Sequence, residues 1–290
     1  MNNIKRVAII GGVHGNELLG IYLVKKFQQY PQLVKRDSFD VIILLANTKA
    51  IQLGRRYIDI DLNRCFTSQD LNNYDLTKYE QVLAKKIFQQ IQQSQIDFLI
   101  DIHTSTANMG ITLLLSNLLP VNLNLAAYLV SLDPAIKVVC SQSDPDNNRL
   151  RNVCRYGFTI EIGSIPHGVL DPIWFQKTEQ LISNILNYID IFNSDRLTWL
   201  PKNITLYSSL IPINFPIDEQ GQLTAMVHPT LQGQDYCELH PEQPIFLKFD
   251  GSNILYQGSQ TVYPIFINES AYWEKSLAMY LTTKQKITLE

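Results

Sequence analysis

The chain has no apolar run of membrane-spanning length, no CxxC pair, no basic stripe, no internal repeat and no low-complexity segment. Each absence removes a class of function. A helix that crosses a bilayer needs about 20 predominantly apolar residues in succession, so no membrane partner is expected. Lys5 and Arg6 precede an apolar run, but Val7-Ala8-Ile9-Ile10 is too short for the core of a signal peptide and ends in glycines. The four cysteines, Cys65, Cys140, Cys154 and Cys237, are scattered. They read as reduced thiols of an intracellular protein, which makes the cytoplasm the expected location. The formal net charge is -3 with both signs mixed along the chain, which gives no footing for nucleic-acid binding. What is present suits a buried core: 290 residues, 46% hydrophobic and 18% charged, enough for one large domain or two smaller ones.

The chain is organised around Gly11-Gly12-Val13-His14-Gly15-Asn16-Glu17, set between an apolar run and the amphipathic stretch Leu18 to Tyr30. This reads as strand, glycine-rich turn and helix start, the place where open α/β sheets put their chemistry. Glycines before a helix also cradle phosphates. However, the Gly-Lys-Ser/Thr ending and the G-x-G-x-x-G spacing are both missing, and a glutamate at the helix start repels an anion. A metal site fits better. His14 and Glu17 are three apart, so an imidazole nitrogen and a carboxylate oxygen can reach one point, and one catalytic zinc arrangement uses two His and one Glu. The second histidine must come from elsewhere. Asp97-Phe98-Leu99-Ile100-Asp101-Ile102-His103 is an apolar strand ending in Asp-x-His. If it runs parallel to Val7–Ile10, His103 emerges at the same sheet edge, with Asp101 on the same side as a hydrogen-bond partner.

In chain order, residues 5–10 read as a buried strand. Residues 17–30 read as a helix with Leu18, Ile21, Tyr22, Val24 and Lys25 at helical spacing, stopped by Pro31. Phe39 to Ala46 is strand-like. Asn47 to Tyr74 shows no period, and a loop of that length in a compact domain is usually functional. Residues 75–95 read as a helix with Tyr79, Val82, Leu83, Ile87 and Ile91 on one face. Residues 97–102 and Ile111 to Leu115 read as strands, and Leu123 to Leu132 as a helix. Phe158 to Gly163 reads as a strand carrying Glu161 among apolar neighbours. Asp171 to Phe192 reads as a helix with Asp171 as N-cap and Pro172 in its first turn. After Trp199-Leu200-Pro201 the texture changes: residues 200–290 hold seven of the 13 prolines, short alternating runs and turn signals. The expected division is residues 1–199 and a smaller, mainly β domain over 200–290.

Gly12-Val13-His14-Gly15-Asn16-Glu17, Asp61-Leu62-Asn63-Arg64, Asp101-Ile102-His103, Ile160-Glu161-Ile162-Gly163, Val262-Tyr263-Pro264 and Asn268-Glu269-Ser270-Ala271-Tyr272 occur in that order. Together they resemble the aspartoacylase and succinylglutamate desuccinylase family, relatives of the zinc carboxypeptidases, over nearly the whole chain. The resemblance implies an α/β fold with a zinc-carboxypeptidase-like mixed sheet flanked by helices, and a C-terminal β domain partly covering the site. It implies one zinc ion per subunit held by His14, Glu17 and His103, and hydrolysis of an N-acyl amino acid, typically N-acetyl-L-aspartate. It further implies Glu161 as general acid/base and Arg56 as the residue polarising the scissile carbonyl. Asn63, Arg64 and Tyr272 then hold the α-carboxylate, and Arg151 reads the aspartate side-chain carboxylate. The expected partner is a small N-acyl amino acid, with homo-oligomerisation a tendency of the family. One departure stands out: animal members carry Tyr four residues before the arginine matching Arg151, and this chain has Asn147. The surrounding Asp144 to Arg149 is polar and expected to be mobile.

Plainer readings stand beside these. Glu161 in an apolar strand is also suited to a buried salt bridge, Asn63 to a turn and Tyr272 to a core. Glu269 reads as a residue positioning its loop, and Asp61 as a hydrogen-bond partner of the site. His167, His228 and His240 lie outside the motifs and read as structural or surface residues. A changed substrate is the near alternative: succinylglutamate, or N-acetylated aromatic or cysteine-conjugate compounds. A non-catalytic binding protein on the same fold is the far one.

Overall fold

The computed structural model describes residues 3–73, 75–140 and 149–289. Asn147 lies outside the described residues, as does Asp144 to Asn148 of the polar segment. The described residues form a mixed sheet of nine strands. Its first five strands in sequence are β1 (Arg6–Gly11), β2 (Asp40–Leu45), β3 (Phe98–Thr104), β4 (Gly110–Leu115) and β5 (Lys137–Val139). They are joined by β6 (Tyr156–Gly163), β7 (Asn203–Asn214), β11 (Tyr263–Ile265) and β12 (Leu277–Thr288). The order is β11-β12-β7-β5-β4-β6-β3-β1-β2. A second sheet of β8 (Ala225–Val227), β9 (Pro244–Lys248) and β10 (Asn253–Leu255) lies in the C-terminal region. That region is β-rich, and its β7, β11 and β12 continue the large sheet through the parallel contact Val139↔Tyr207.

Strand periodicity decides which residues face which layer. Successive side chains of a strand point to opposite faces. On one face Val7, Ile9, Phe98, Ile100, Ile102, Phe158, Ile160 and Ile162 pack with α1 (Leu18–Gln29), α5 (Pro120–Leu132) and α6 (Pro172–Asn193). On the other, Ala8, Ile10 and Leu99 pack with α4 (Tyr79–Gln93) and the residues before it. Farther along that second face, Leu114 and Val139 meet Tyr207, Ile265 and Phe266 of the C-terminal region. Between these two covers the second face carries Asp101, His103, Thr159 and Glu161, aligned by the parallel register Asp101↔Thr159 and His103↔Glu161.

β1 is parallel to both β2 and β3, so the chain turns to opposite sides of β1 and leaves a crevice at the strands' C-terminal ends. The glycine turn fills that crevice. Gly12 has φ +73°, which a side chain rarely tolerates. A Cβ on Gly15 would lie 2.2 Å from the carbonyl carbon of Ala50. The loop 47–73 therefore packs directly on the turn, and the Gly15 N–H donates to the Arg56 carbonyl at 3.2 Å. That loop is not periodless: it contains α2 (Thr48–Gln52), the 3₁₀ turn Leu62–Arg64 and α3 (Ser68–Asn72), all too short to show a period.

Two helix faces differ from the sequence reading. In α1 the buried residues are Leu19, Gly20, Ile21, Leu23, Val24 and Phe27, whereas Tyr22 and Lys25 face solvent. In α4 the buried residues are Glu80, Ala84, Ile87 and Ile91. Reading only apolar residues rotates this face, because Glu80 is fully buried by hydrogen bonding. Its carboxylate accepts from Ile58 N–H (2.7 Å), Asp59 N–H (2.9 Å), Ile60 N–H (3.2 Å) and the Asn47 amide (3.1 Å). At α6 the reading holds: Asp171 caps Ile173 and Trp174 N–H, and Pro172 opens the helix. The three-residue β5 escapes any periodicity analysis.

Replacing Glu80 by Ala leaves these backbone donors buried without an acceptor, at a cost of about 1–3 kcal/mol for each such group. Denaturant unfolding of Glu80→Ala is expected to show a loss of about 3 kcal/mol or more. A loss under about 1 kcal/mol would mean the loop is held by something else. Gly15→Ala is expected to cost about 3 kcal/mol through overpacking against backbone that cannot swing aside, and a wild-type midpoint would refute the close approach.

Candidate active site

His14 sits in the turn after β1, Glu17 at the N-cap of α1, and His103 near the end of β3. All three are buried, and one ligand atom from each lies within 4.8 Å of the others. His14 Nδ1 lies 2.6 Å from Glu17 Oε1, His103 Nδ1 lies 3.0 Å from Glu17 Oε2, and the two Nδ1 atoms are 3.1 Å apart. The opposite nitrogens face carboxylates: His14 Nε2 is 3.1 Å from Asp61 Oδ1, and His103 Nε2 is 2.9 Å from Asp101 Oδ2. A carboxylate accepts and does not donate, so each takes the Nε2 proton, and an imidazole in its neutral form then presents Nδ1 as a lone pair. Two lone-pair nitrogens and a carboxylate then converge on one buried point, an arrangement that demands positive charge. The donor set and the outer carboxylates match a zinc site.

The pKa shifts express the same demand. Burial pushes Glu17 up, but the two histidines outweigh it and hold it well below the usual carboxylate range. Burial pushes His103 down, but Asp101 and Glu17 outweigh it and raise it well above the ordinary imidazole value. The Thr104 N–H donates to Glu17 Oε2 at 3.0 Å and fixes the carboxylate plane.

A pocket of about 350 Å³ opens over this cluster. It is lined by His14, Glu17, His103, Arg56, Asn63, Arg64, Glu161 and Tyr272, together with Thr104, Ser105, Arg149, Phe266, Glu269 and Ala271. Eight of the nine site residues expected from the sequence therefore meet in one cavity. The ninth, Arg151, is buried at 8% exposure and is not among the lining residues, whereas Arg149 is.

Arg56 donates to Glu17 Oε1 at 3.1 Å and to Asp61 Oδ2 at 3.3 Å. A guanidinium has five N–H donors, so these two contacts do not exhaust it. Burial works against its charge, but Asp61 and Glu17 secure it and raise its pKa. The neighbouring Arg55 is exposed. Burial pushes Glu161 up to about 8; His103 opposes this, while Glu17, Glu269 and Asp101 add to it. In the Asp61-Leu62-Asn63-Arg64 turn, Asp61 Oδ1 also accepts the Asn63 N–H at 2.9 Å. The Asn63 side-chain oxygen accepts the Leu150 N–H at 2.9 Å, which ties the two arginine-bearing turns together.

The C-terminal cover is pinned by Glu269. Its Oε2 accepts Thr106 N–H (2.7 Å), Ala107 N–H (3.1 Å) and the Ser105 hydroxyl, and its Oε1 accepts Ala271 N–H (3.0 Å). One carboxylate thus joins the segment after His103 to the 3₁₀ turn Ser270–Lys275 that carries Tyr272. Of the histidines outside the motifs, His167 stands beside the site, its Nε2 3.8 Å from Glu269 Oε1. His228 contacts Thr230, and His240 contacts Thr261 and Glu238, all at the exposed surface.

Arg149 and Glu80 were missed by the sequence reading. Glu80 left one signal, an acid in the first turn of a helix that follows a polar loop. Arg149, which lines the pocket, left none.

Residues 3–189 match the succinylglutamate desuccinylase/aspartoacylase catalytic domain, and residues 202–284 match the AstE/AspA barrel-sandwich hybrid domain. A probable aspartoacylase of Trichodesmium erythraeum is 45% identical over 99% of this chain and 99% of its own. The human N-acyl-aromatic-L-amino acid amidohydrolase (carboxylate-forming) is 36% identical over 99% of this chain and 92% of its own. The crystal structure of murine aminoacylase 3 superposes with a TM-score of 0.94 at 34% identity, covering 100% of this chain and 98% of that one. With its catalytic and C-terminal portions both matched and full-length relatives at this identity, the chain belongs to the succinylglutamate desuccinylase/aspartoacylase family.

Proposed function

We propose that the protein is a zinc-dependent amidohydrolase that cleaves N-acetyl-L-aspartate to acetate and L-aspartate. The observation that carries this reading is the meeting of His14, Glu17 and His103 with Glu161 and Arg56 in one pocket. His14 Nδ1, His103 Nδ1 and the Glu17 carboxylate would hold the metal. When bound, zinc supplies Lewis acidity, lowering the pKa of water and polarising a carbonyl. Glu161, raised by burial, takes the proton of the attacking water and returns it to the leaving nitrogen. Arg56 keeps its charge and faces the oxygen that becomes anionic as the tetrahedral species forms. Arg64, Asn63 and Tyr272 line the same pocket and receive the α-carboxylate, Arg64 through its planar fork. Among the described residues no helix is long and apolar enough to cross a membrane, and all four cysteines are free thiols. A cytoplasmic enzyme acting on a small solute fits both.

Hydrolysis of another N-acyl amino acid is the second reading. It is favoured by the name of the human relative and by the likeness to murine aminoacylase 3. The deciding experiment is a deacylation panel on zinc-loaded protein: N-acetyl-L-aspartate, N-acetylglutamate, succinylglutamate and N-acetyltyrosine, before and after chelation. Zinc-dependent turnover with a strong aspartate preference supports the reading. Preference for another substrate keeps the mechanism and replaces the substrate, and inertness on all four rejects the reading.

Two further outcomes test the roles. Glu161→Gln is expected to retain zinc at one per chain while turnover falls about 10³-fold or more; substantial remaining activity would remove the assigned proton transfer. Asp101→Asn leaves the ligand atoms in place and is expected to weaken zinc binding about 10–100-fold. Metal-competition titration reads this directly, and unchanged affinity would show that the His103 proton needs no carboxylate partner.

A further inference from the structure

We propose that Thr159 is a positioning residue of the metal site: its hydroxyl locks the Asp101 carboxylate and, through it, the plane of the His103 ring. This rests on the reading of His14, Glu17 and His103 as metal ligands, and not on the choice of substrate. Thr159 of β6 lies directly opposite Asp101 of β3, two residues before the pair His103↔Glu161. Thr159, Asp101 and His103 are all buried. The Thr159 hydroxyl donates to Asp101 Oδ2 at 3.3 Å. The same oxygen accepts the His103 Nε2–H at 2.9 Å. The other oxygen, Asp101 Oδ1, is buried with no hydrogen-bond partner among the described residues.

Two donors from two strands thus meet one oxygen of a carboxylate that has two. The last torsion of an aspartate side chain is broad and roughly two-fold. A bond to His103 alone leaves the carboxylate free to turn about that torsion and lets the imidazole tilt with it. Thr159 supplies the second point that defines the plane. Its own direction is stiff, because a side chain branched at Cβ has a restricted χ1. The strand beneath it is paired on both sides, with β3 at Asp101↔Thr159 and with β4 at Leu114↔Thr159.

The surroundings give the hydroxyl no other use. Leu114, its neighbour across β4, belongs to an apolar cluster on the same face, and Phe158 and Ile160 pack into the core on the opposite face. Burying a hydroxyl there is unfavourable unless it is bonded, and Asp101 Oδ2 is the acceptor it meets among the described residues. The second imidazole makes the contrast. His14 Nε2 faces Asp61, whose Oδ1 also accepts the Asn63 N–H and whose Oδ2 accepts from Arg56. A backbone amide and a guanidinium therefore fix Asp61 without help from the ring. Apart from the ring of His103, the Asp101 carboxylate is held by Thr159 alone among the described residues. The His103 arm of the site is the one that a single neutral hydroxyl steadies.

The test reads zinc affinity by metal-competition titration, so it does not depend on turnover. It compares wild type with Thr159→Val, Thr159→Ser, Asp101→Asn and the double variant Thr159→Val/Asp101→Asn. Thr159→Val keeps the shape and is expected to weaken zinc binding about fivefold, the scale of one net hydrogen bond. Thr159→Ser keeps the hydroxyl and is expected to stay within about twofold of wild type. In the Asp101→Asn background, Thr159→Val is expected to add less than about twofold, because the two act through one contact. Thermal unfolding checks that each variant folds, and Thr159→Ala repeats the comparison should Thr159→Val not fold. A hydroxyl that serves only the fold would lower the unfolding midpoint and leave the zinc affinity of the folded protein unchanged. Unchanged affinity in Thr159→Val, a Thr159→Ser variant as weak as Thr159→Val, the full loss repeated in the Asp101→Asn background, or a wild type that binds no zinc overturns the inference. If zinc affinity follows the expected pattern but no N-acyl amino acid is hydrolysed, the amidohydrolase reading fails and the role of Thr159 stands.

Discussion

A buried carboxylate between two imidazole lone pairs is the constraint on which the rest of the structure depends. Glu17, His14 and His103 are buried, and Asp61 and Asp101 accept the imidazole protons on the far side. Such a cluster is stable only with positive charge at its centre. The surrounding sheet brings it together at low strain. Parallel β1 and β3 end at the same edge, and the glycine turn lets His14 and Glu17 reach back towards His103.

Two further carboxylates assemble the walls by the same physical means. Glu80 gathers three successive backbone N–H groups just before Asp61, and Glu269 gathers those of Thr106, Ala107 and Ala271. A carboxylate accepts several N–H bonds at once, so one side chain can order a segment between short helices. Glu80 fixes the loop carrying Arg56, Asp61 and Arg64. Glu269 fixes the C-terminal cover carrying Tyr272. The sheet face between these two layers is where the site lies, open enough for a small solute.

The family relationship and the geometry constrain different things. Full-length relatives of different printed specificity share this fold, and one solved relative superposes with a TM-score of 0.94. The scaffold is therefore separable from substrate choice. Arg64 and Arg149 line the same pocket as the His14, Glu17 and His103 cluster, and Asn63 ties their two turns together.

The amino-acid order alone determined whatever depends on local pattern. Short apolar runs marked β1, β3 and β6, turn chemistry marked Gly12 and Gly15, and capping marked Asp171. The spacing of His14 and Glu17, with the Asp-x-His ending of β3, pointed to a metal cluster because ligand geometry is itself local. Tertiary structure decided what depends on direction and partner. The buried face of α4 turned on Glu80, a charged residue whose burial rests on backbone donors from another segment. The short β5 and the joining of β7 and β12 to the main sheet rest on pairing between distant segments. That Arg149 lines the pocket while Arg151 is buried outside its lining was closed to the sequence for the same reason, because side-chain direction in this turn is set by contacts with distant segments.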